Sequence, residues 1–134
     1  MRRRGAEDGA TAVEFALLSP VLVLMLAGIT GYGGYFWISH SVQQLANDAA
    51  RAAVAGLDTT ERTSLAQQAV SAEVGGYSSL DASRVTTTLN VNASAMTVSV
   101  TYDASGSAFW AMRGLTPMPS TTVVRQAVIR LGGY

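Results

Sequence analysis

The sequence predicts an α+β fold. A long N-terminal helix, apolar first and amphipathic later, is followed by a small domain with a second helix and a short antiparallel sheet of about three strands. Three observations carry this expectation. Phe15 to Ile38 is apolar and free of formal charge. From Val42 onward, small apolar residues recur at helical spacing, the mark of a helix packed on one side. After Gly75-Gly76 the apolar period changes to two, the mark of half-buried strands.

Composition bounds the function. The 134 residues leave room for one small domain plus an anchor. Without cysteine, neither a disulfide framework nor a thiolate metal site is available. All 9 basic residues are Arg and the formal charge is zero, which argues against a general nucleic-acid binder.

As a helix, Phe15 to Ile38 would run about 36 Å, enough to cross a bilayer core of about 30 Å. A domain this small cannot bury so long a helix that is apolar all round. A cleaved secretory signal would have a shorter apolar core with a small-residue cut site behind it. Here Tyr32, Tyr35, Phe36 and Trp37 follow instead, and they suit a membrane–water interface. Arg2, Arg3 and Arg4 precede the run, and the first charge beyond it is Asp48. The positive-inside rule therefore expects a single pass through the cytoplasmic membrane, with a cytoplasmic N-terminus and an extracytoplasmic remainder. The expected division is a leader over 1–9, a transmembrane helix over 10–38, an amphipathic extension over 39–57 and an extracytoplasmic α+β domain over 58–134.

Within the long helix, Pro20 is expected to kink or locally break the run. Gly28, Gly31, Gly33 and Gly34 weaken it further toward the outer interface. Ala27 and Gly31 form a small-xxx-small pair, which either admits a neighbouring helix or reflects the abundance of glycine in membrane helices. Val42, Leu45, Ala46, Ala49, Ala50, Ala53, Val54 and Leu57 share the packed face, and the segment after Gly56 ends the helix. Thr60 is the expected cap of a second helix over Arg62 to Val74. Val85–Asn92 and Met96–Tyr102 read as two strands joined by a hairpin, and Thr121–Leu131 as a third. Between them, Phe109, Trp110, Met112 and Leu115 read as a short helical turn that exposes apolar surface, with Phe109, Trp110 and Met112 as candidate partner contacts.

No constellation for catalysis is visible. His40 is the sole histidine, the acidic residues are scattered, and no metalloprotease, nucleophile-elbow, Walker or dinucleotide motif occurs. No enzyme activity, cofactor or metal is expected.

The segment Gly-Ala-Thr-Ala-Val-Glu-Phe, residues 9–15, combines a glycine, a carboxylate at the start of the apolar run and an aromatic. A lone carboxylate there is costly in a membrane and needs a reason. This pattern resembles the prepilins cut by an aspartic prepilin peptidase. The wider run from Arg4 to Leu22, with the Gln/Ala/Asn/Arg-rich helix around Gln43 to Ala53, resembles TadE-like proteins of the tight-adherence (Flp) pilus machinery. TadF- and TadG-like relatives share the N-terminal pattern. The resemblance implies a minor pilin or pseudopilin that acts in pilus assembly and is processed between Gly9 and Ala10. Its implied partners are the membrane, the prepilin peptidase, other pilin subunits and the assembly platform. Glu14 and Phe15 would then be the fifth and sixth residues of the mature chain. Glu14 would either accept the amine of a neighbouring subunit or reach back to the cytoplasmic headgroups. The alternative is a single-pass binding module that keeps its leader and meets an extracytoplasmic ligand through Phe109, Trp110 and Met112.

Overall fold

A computed structural model describes residues 4–132, so Arg2 and Arg3 of the expected leader lie outside the described residues. The first helix, α1, is Arg4–Ala53. It begins earlier than the sequence suggested, because the backbone of the leader from Arg4 continues the helix through Gly9. It also runs unbroken through Pro20. The missing Pro20 N–H leaves the Ala16 carbonyl without its helical donor, and the Ser19 hydroxyl donates to that carbonyl at 3.4 Å.

α1 ends at Ala53, short of the expected 57. The chain turns through Val54 and Ala55, with the Gly56 N–H donating to the Ala53 carbonyl at 3.2 Å. Gly56 is buried under the start of the second helix, where a Cβ would lie 2.7 Å from the Arg62 backbone nitrogen. The Arg62 guanidinium Nε in turn donates to the Gly56 carbonyl at 2.8 Å. Val54 and Leu57, expected on the packed face, are therefore exposed, Leu57 at 90%.

The second helix, α2, is Thr59–Glu73. Its cap is Asp58 rather than Thr60. The Glu61 N–H donates to Asp58 Oδ1 at 2.8 Å, and Glu61 Oε2 accepts the Leu57 N–H at 2.8 Å. This reciprocal arrangement satisfies two backbone donors at the turn. A short 3₁₀ turn, Val74–Gly76, closes the helix.

Three strands follow, β1 Val85–Val91, β2 Ala95–Asp103 and β3 Thr122–Arg130, in an antiparallel sheet ordered β1-β2-β3. The Asn92 carboxamide oxygen accepts the N–H groups of Ser94 and Ala95, which tightens the β1–β2 turn. Register pairs Leu89 with Val98 and Val98 with Ala127, so the period-two faces align across the sheet. Met96, Val98, Val100 and Tyr102 of the central strand are buried against Ile38, Val42, Leu45, Ala46, Ala49, Ala50 and Ala53 of α1 and Ala66 and Val70 of α2 in a single core. At the sheet's corner, Arg84 forms ion pairs with Asp81 at 3.8 Å and Asp103 at 3.4 Å, tying the start of β1 to the end of β2.

Candidate functional site

α1 divides by environment rather than by sequence boundary. From Gly9 to Leu26 its side chains are exposed except for the half-buried Ser19. Phe15, Leu17, Leu18, Val21 and Met25 are each more than half exposed. So long an unpartnered apolar surface is not a stable state in water. By length and composition this helix can cross a membrane once.

The residues singled out at the N-terminal end lie on this bare half. Gly9 and Ala10 are exposed, and a Cβ at Gly9 would meet nothing within 4 Å. Nothing in the packing of the described residues therefore requires glycine at that position. Glu14 and Phe15 are exposed, and no described residue forms an ion pair with Glu14.

The second half of α1 is domain core, and the join is made of small residues. Ala27, Gly31 and Gly34 are buried and Gly28 is half-buried. The three glycines are covered by the segment after β2, a 3₁₀ run over Ala108–Gly114 and the loop to Met118. The Phe109 ring lies on Gly34 so closely that a Cβ there would overlap it. At Gly31 a Cβ would lie 2.7 Å from Met118 Sδ and 3.4 Å from the Met112 Cβ. The Tyr32 hydroxyl donates to the Pro117 carbonyl at 2.7 Å and fixes the loop to the helix. The small-xxx-small face is thus filled from within the chain, an outcome neither reading of Ala27 and Gly31 anticipated.

This docking redefines the expected partner contacts. Trp110 is buried, with its indole N–H donating to the Pro119 carbonyl at 3.2 Å and its ring edge-on to Tyr35 at 6.1 Å. Phe109 and Met112 are half-buried against α1. The large apolar side chain that the segment leaves exposed is Leu115, 54% accessible. The aromatics after the apolar run also part company. Tyr35 packs against the core and its hydroxyl meets Arg125 at 3.4 Å. Phe36 and Trp37 are about two-thirds exposed, with the Trp37 N–H donating to the Ser79 hydroxyl at 3.0 Å. The i, i+3 spacing of Gly28, Gly31 and Gly34 was the available signal for this docking, but glycine is common enough in membrane helices to hide it.

Elsewhere the polar groups serve the fold. Asp81 and Asp103 accept hydrogen bonds from Ser83 and Ser105 and lie beside Arg84, which lowers both carboxyls below their usual range. Where α2 meets α1, loss of hydration and then the Asp48 carboxylate raise the Glu73 carboxyl above its ordinary value. Among the described residues, no group of three or more His, Asp or Glu side chains could hold a metal ion.

The geometry defines a class: a bare N-terminal helix able to cross a membrane, carrying on its second half a small α+β domain. Within that class, residues 9–51 match the family model described as TadE-like protein, so this segment is similar to TadE-like proteins. The match opens at Gly9, covers the bare half and the junction, and ends in the last turn of α1. No curated protein and no solved structure matches the chain.

Proposed function

We propose that this protein is a TadE-like minor pilin or pseudopilin that serves as a structural, non-catalytic subunit in the assembly of a tight-adherence pilus. The observation that carries the reading is the TadE-like match itself, which begins at Gly9 and extends through the exposed helix. α1 anchors the chain in the cytoplasmic membrane with its N-terminus inside and its domain outside. A prepilin peptidase cuts between Gly9 and Ala10. The open space around Gly9 supports an external reason for glycine there, namely close approach of a peptidase to the backbone. Because the bond lies within α1, cleavage requires local unwinding, which glycine eases by about 1 kcal/mol relative to alanine.

Cleavage would remove the arginines of the leader and create an α-amino group at Ala10. Glu14, exposed on the bare helix with no ion-pair partner among the described residues, is then free to accept an amine from a neighbouring subunit. Burying a carboxylate without such a partner costs several kcal/mol, so pairing gives register to an assembly. Other pilin subunits and the platform proteins are the partners of this reading.

The decisive experiment is the N-terminal residue and intact mass of the protein from its native membrane, with and without the peptidase. A chain that begins at Ala10 only when the peptidase is present is the expected result. Retention of the leader under both conditions overturns processing. Gly9→Leu is expected to abolish the cut while leaving the domain's melting temperature unchanged, since no neighbour crowds that site.

A further inference from the structure

The depth at which α1 sits fixes the depth of everything docked on it. If the hydrocarbon core begins at Ala10, about 20 residues of helix carry it to Ile29; if it begins beyond the Glu14 carboxylate, at Phe15, the same length reaches Gly34. Either way the outer boundary of the bilayer falls between Ile29 and Gly34. That is the stretch of α1 covered by Phe109, Met112 and Met118, with the Thr116 methyl 4.0 Å from a Cβ at Gly28. The loop cannot float above this level, because Tyr32 holds the Pro117 carbonyl at 2.7 Å.

We propose that the segment from Ala108 to Met118 is a membrane-interface foot, seated in the outer face of a phospholipid bilayer. Leu115 enters the boundary between headgroups and acyl chains. Its side chain is 54% exposed to water in the isolated chain, and its neighbour Thr116 lies against Gly28 of α1, a helix whose exposed side chains are apolar from Val21 to Leu26 and again at Ile29. Arg113 is exposed and has no ion-pair partner among the described residues, so its guanidinium is available to lipid phosphates while its stem covers apolar surface. With α1 the foot makes a second point of attachment, which fixes the height and tilt of the domain on the membrane. The inference rests on the membrane reading of α1.

The opposite end of the domain supplies a control. Ile129 and Ala127 of β3 lie by Asn47 and Ala50 of α1, and Met96 pairs with Ile129, so the β1–β2 turn stands at the far end of the sheet. Along α1, Ala50 is about 28 Å beyond Gly31. The chain has no cysteine, so single labels can be placed in the full-length protein. Leu115→Cys, Val21→Cys and Ala93→Cys would each carry an environment-sensitive fluorophore in phosphatidylcholine–phosphatidylglycerol vesicles containing acyl-brominated lipid. The expected result is strong quenching at Val21, quenching at Leu115 several-fold above that at Ala93, and a blue-shifted Leu115 emission. Quenching at Val21 with a Leu115 signal as wet as Ala93 would overturn the foot and leave the anchor standing. No quenching at Val21 would overturn both. If Leu115→Cys lost its fold, a label at Gly114→Cys, exposed and with nothing within 4 Å of its Cβ, reads the same surface with the same two outcomes.

Discussion

Gly33 and Gly34 are neighbours in sequence with opposite surroundings. A Cβ at Gly33 meets nothing within 4 Å, whereas at Gly34 it would run into the Phe109 ring. Replacing Gly33 by Ala should stabilise the domain by up to about 1 kcal/mol through helix propensity alone. Gly34→Ala should destabilise it by about 1–3 kcal/mol, the usual range for overpacking, as Phe109 is pushed off the helix. Thermal melts of the two variants, in the same detergent, should therefore move in opposite directions from the parent. Charge effects at single residues are also directional. Raising the Glu73 carboxyl means the folded state holds more protons than the unfolded one between the ordinary carboxyl value and the raised one. Stability contributed by Glu73 is therefore highest in acid and falls as pH rises through that window. Asp81 and Asp103, both lowered, act with the opposite sign: their contribution is present above the ordinary aspartate value and is lost as pH falls through their lowered values. Glu73→Gln should remove the fall seen on the alkaline side, so that its melting temperature exceeds the parent's at about pH 7 and converges with it near about pH 4. A melting temperature unchanged at both pH values would show that neither lost hydration nor Asp48 raises the Glu73 carboxyl in the folded chain.

At the level of elements, the turn between α1 and α2 depends on a few atoms. Asp58 accepts the Glu61 N–H, Glu61 accepts the Leu57 N–H, and Gly56 lets the Arg62 backbone pass close. Asp58→Ala should cost about 1 kcal/mol in a denaturant melt, the typical loss for a helix cap. This turn also shows what the sequence could not convey. Val54 and Leu57 keep the helical spacing of the packed face, so periodicity alone extends α1 to 57. Its true end at Ala53 is set by a tertiary approach at Gly56 and by a cap that lies one position before the first of two threonines. The strands were legible because one face of each is buried. The alternation of Met96, Val98, Val100 and Tyr102 leaves a single register that covers all four. Gly9, Glu14 and Phe15 stand out in the sequence as a local pattern, and their roles belong to the proposed function; the break expected at Pro20 is absent from α1. The destination of Phe109 and Trp110 was not legible, because an aromatic pair next to glycine-flanked loops reads as surface until its docking site on α1, more than seventy residues away, is known to be a row of glycines.

The whole molecule has its seam inside α1. The packed face expected of the amphipathic extension holds as far as Ala53: Val42, Leu45, Ala46, Ala49, Ala50 and Ala53, joined by Ile38 from the apolar run, are at most 1% exposed and form one wall of the core. At about 1.5–3 kcal/mol for each large buried side chain, Ile38, Val42 and Leu45 alone contribute as much as the net stability of many small domains, about 5 kcal/mol or more. A chain beginning at residue 58 should therefore fail to fold, showing no cooperative thermal transition and little dispersion in its amide spectra. A chain beginning at Thr30 retains Gly31, Tyr32, Gly34 and the whole core face, and it omits the bare helix from Gly9 to Leu26. It should fold cooperatively in water without detergent, with its melting temperature lowered by Tyr32→Phe, which removes the hydrogen bond to Pro117. Cooperative folding of the residue-58 chain would mean that α1 is a tether rather than a structural wall. The tight coupling between anchor and domain, on which a membrane-set orientation depends, would then be lost.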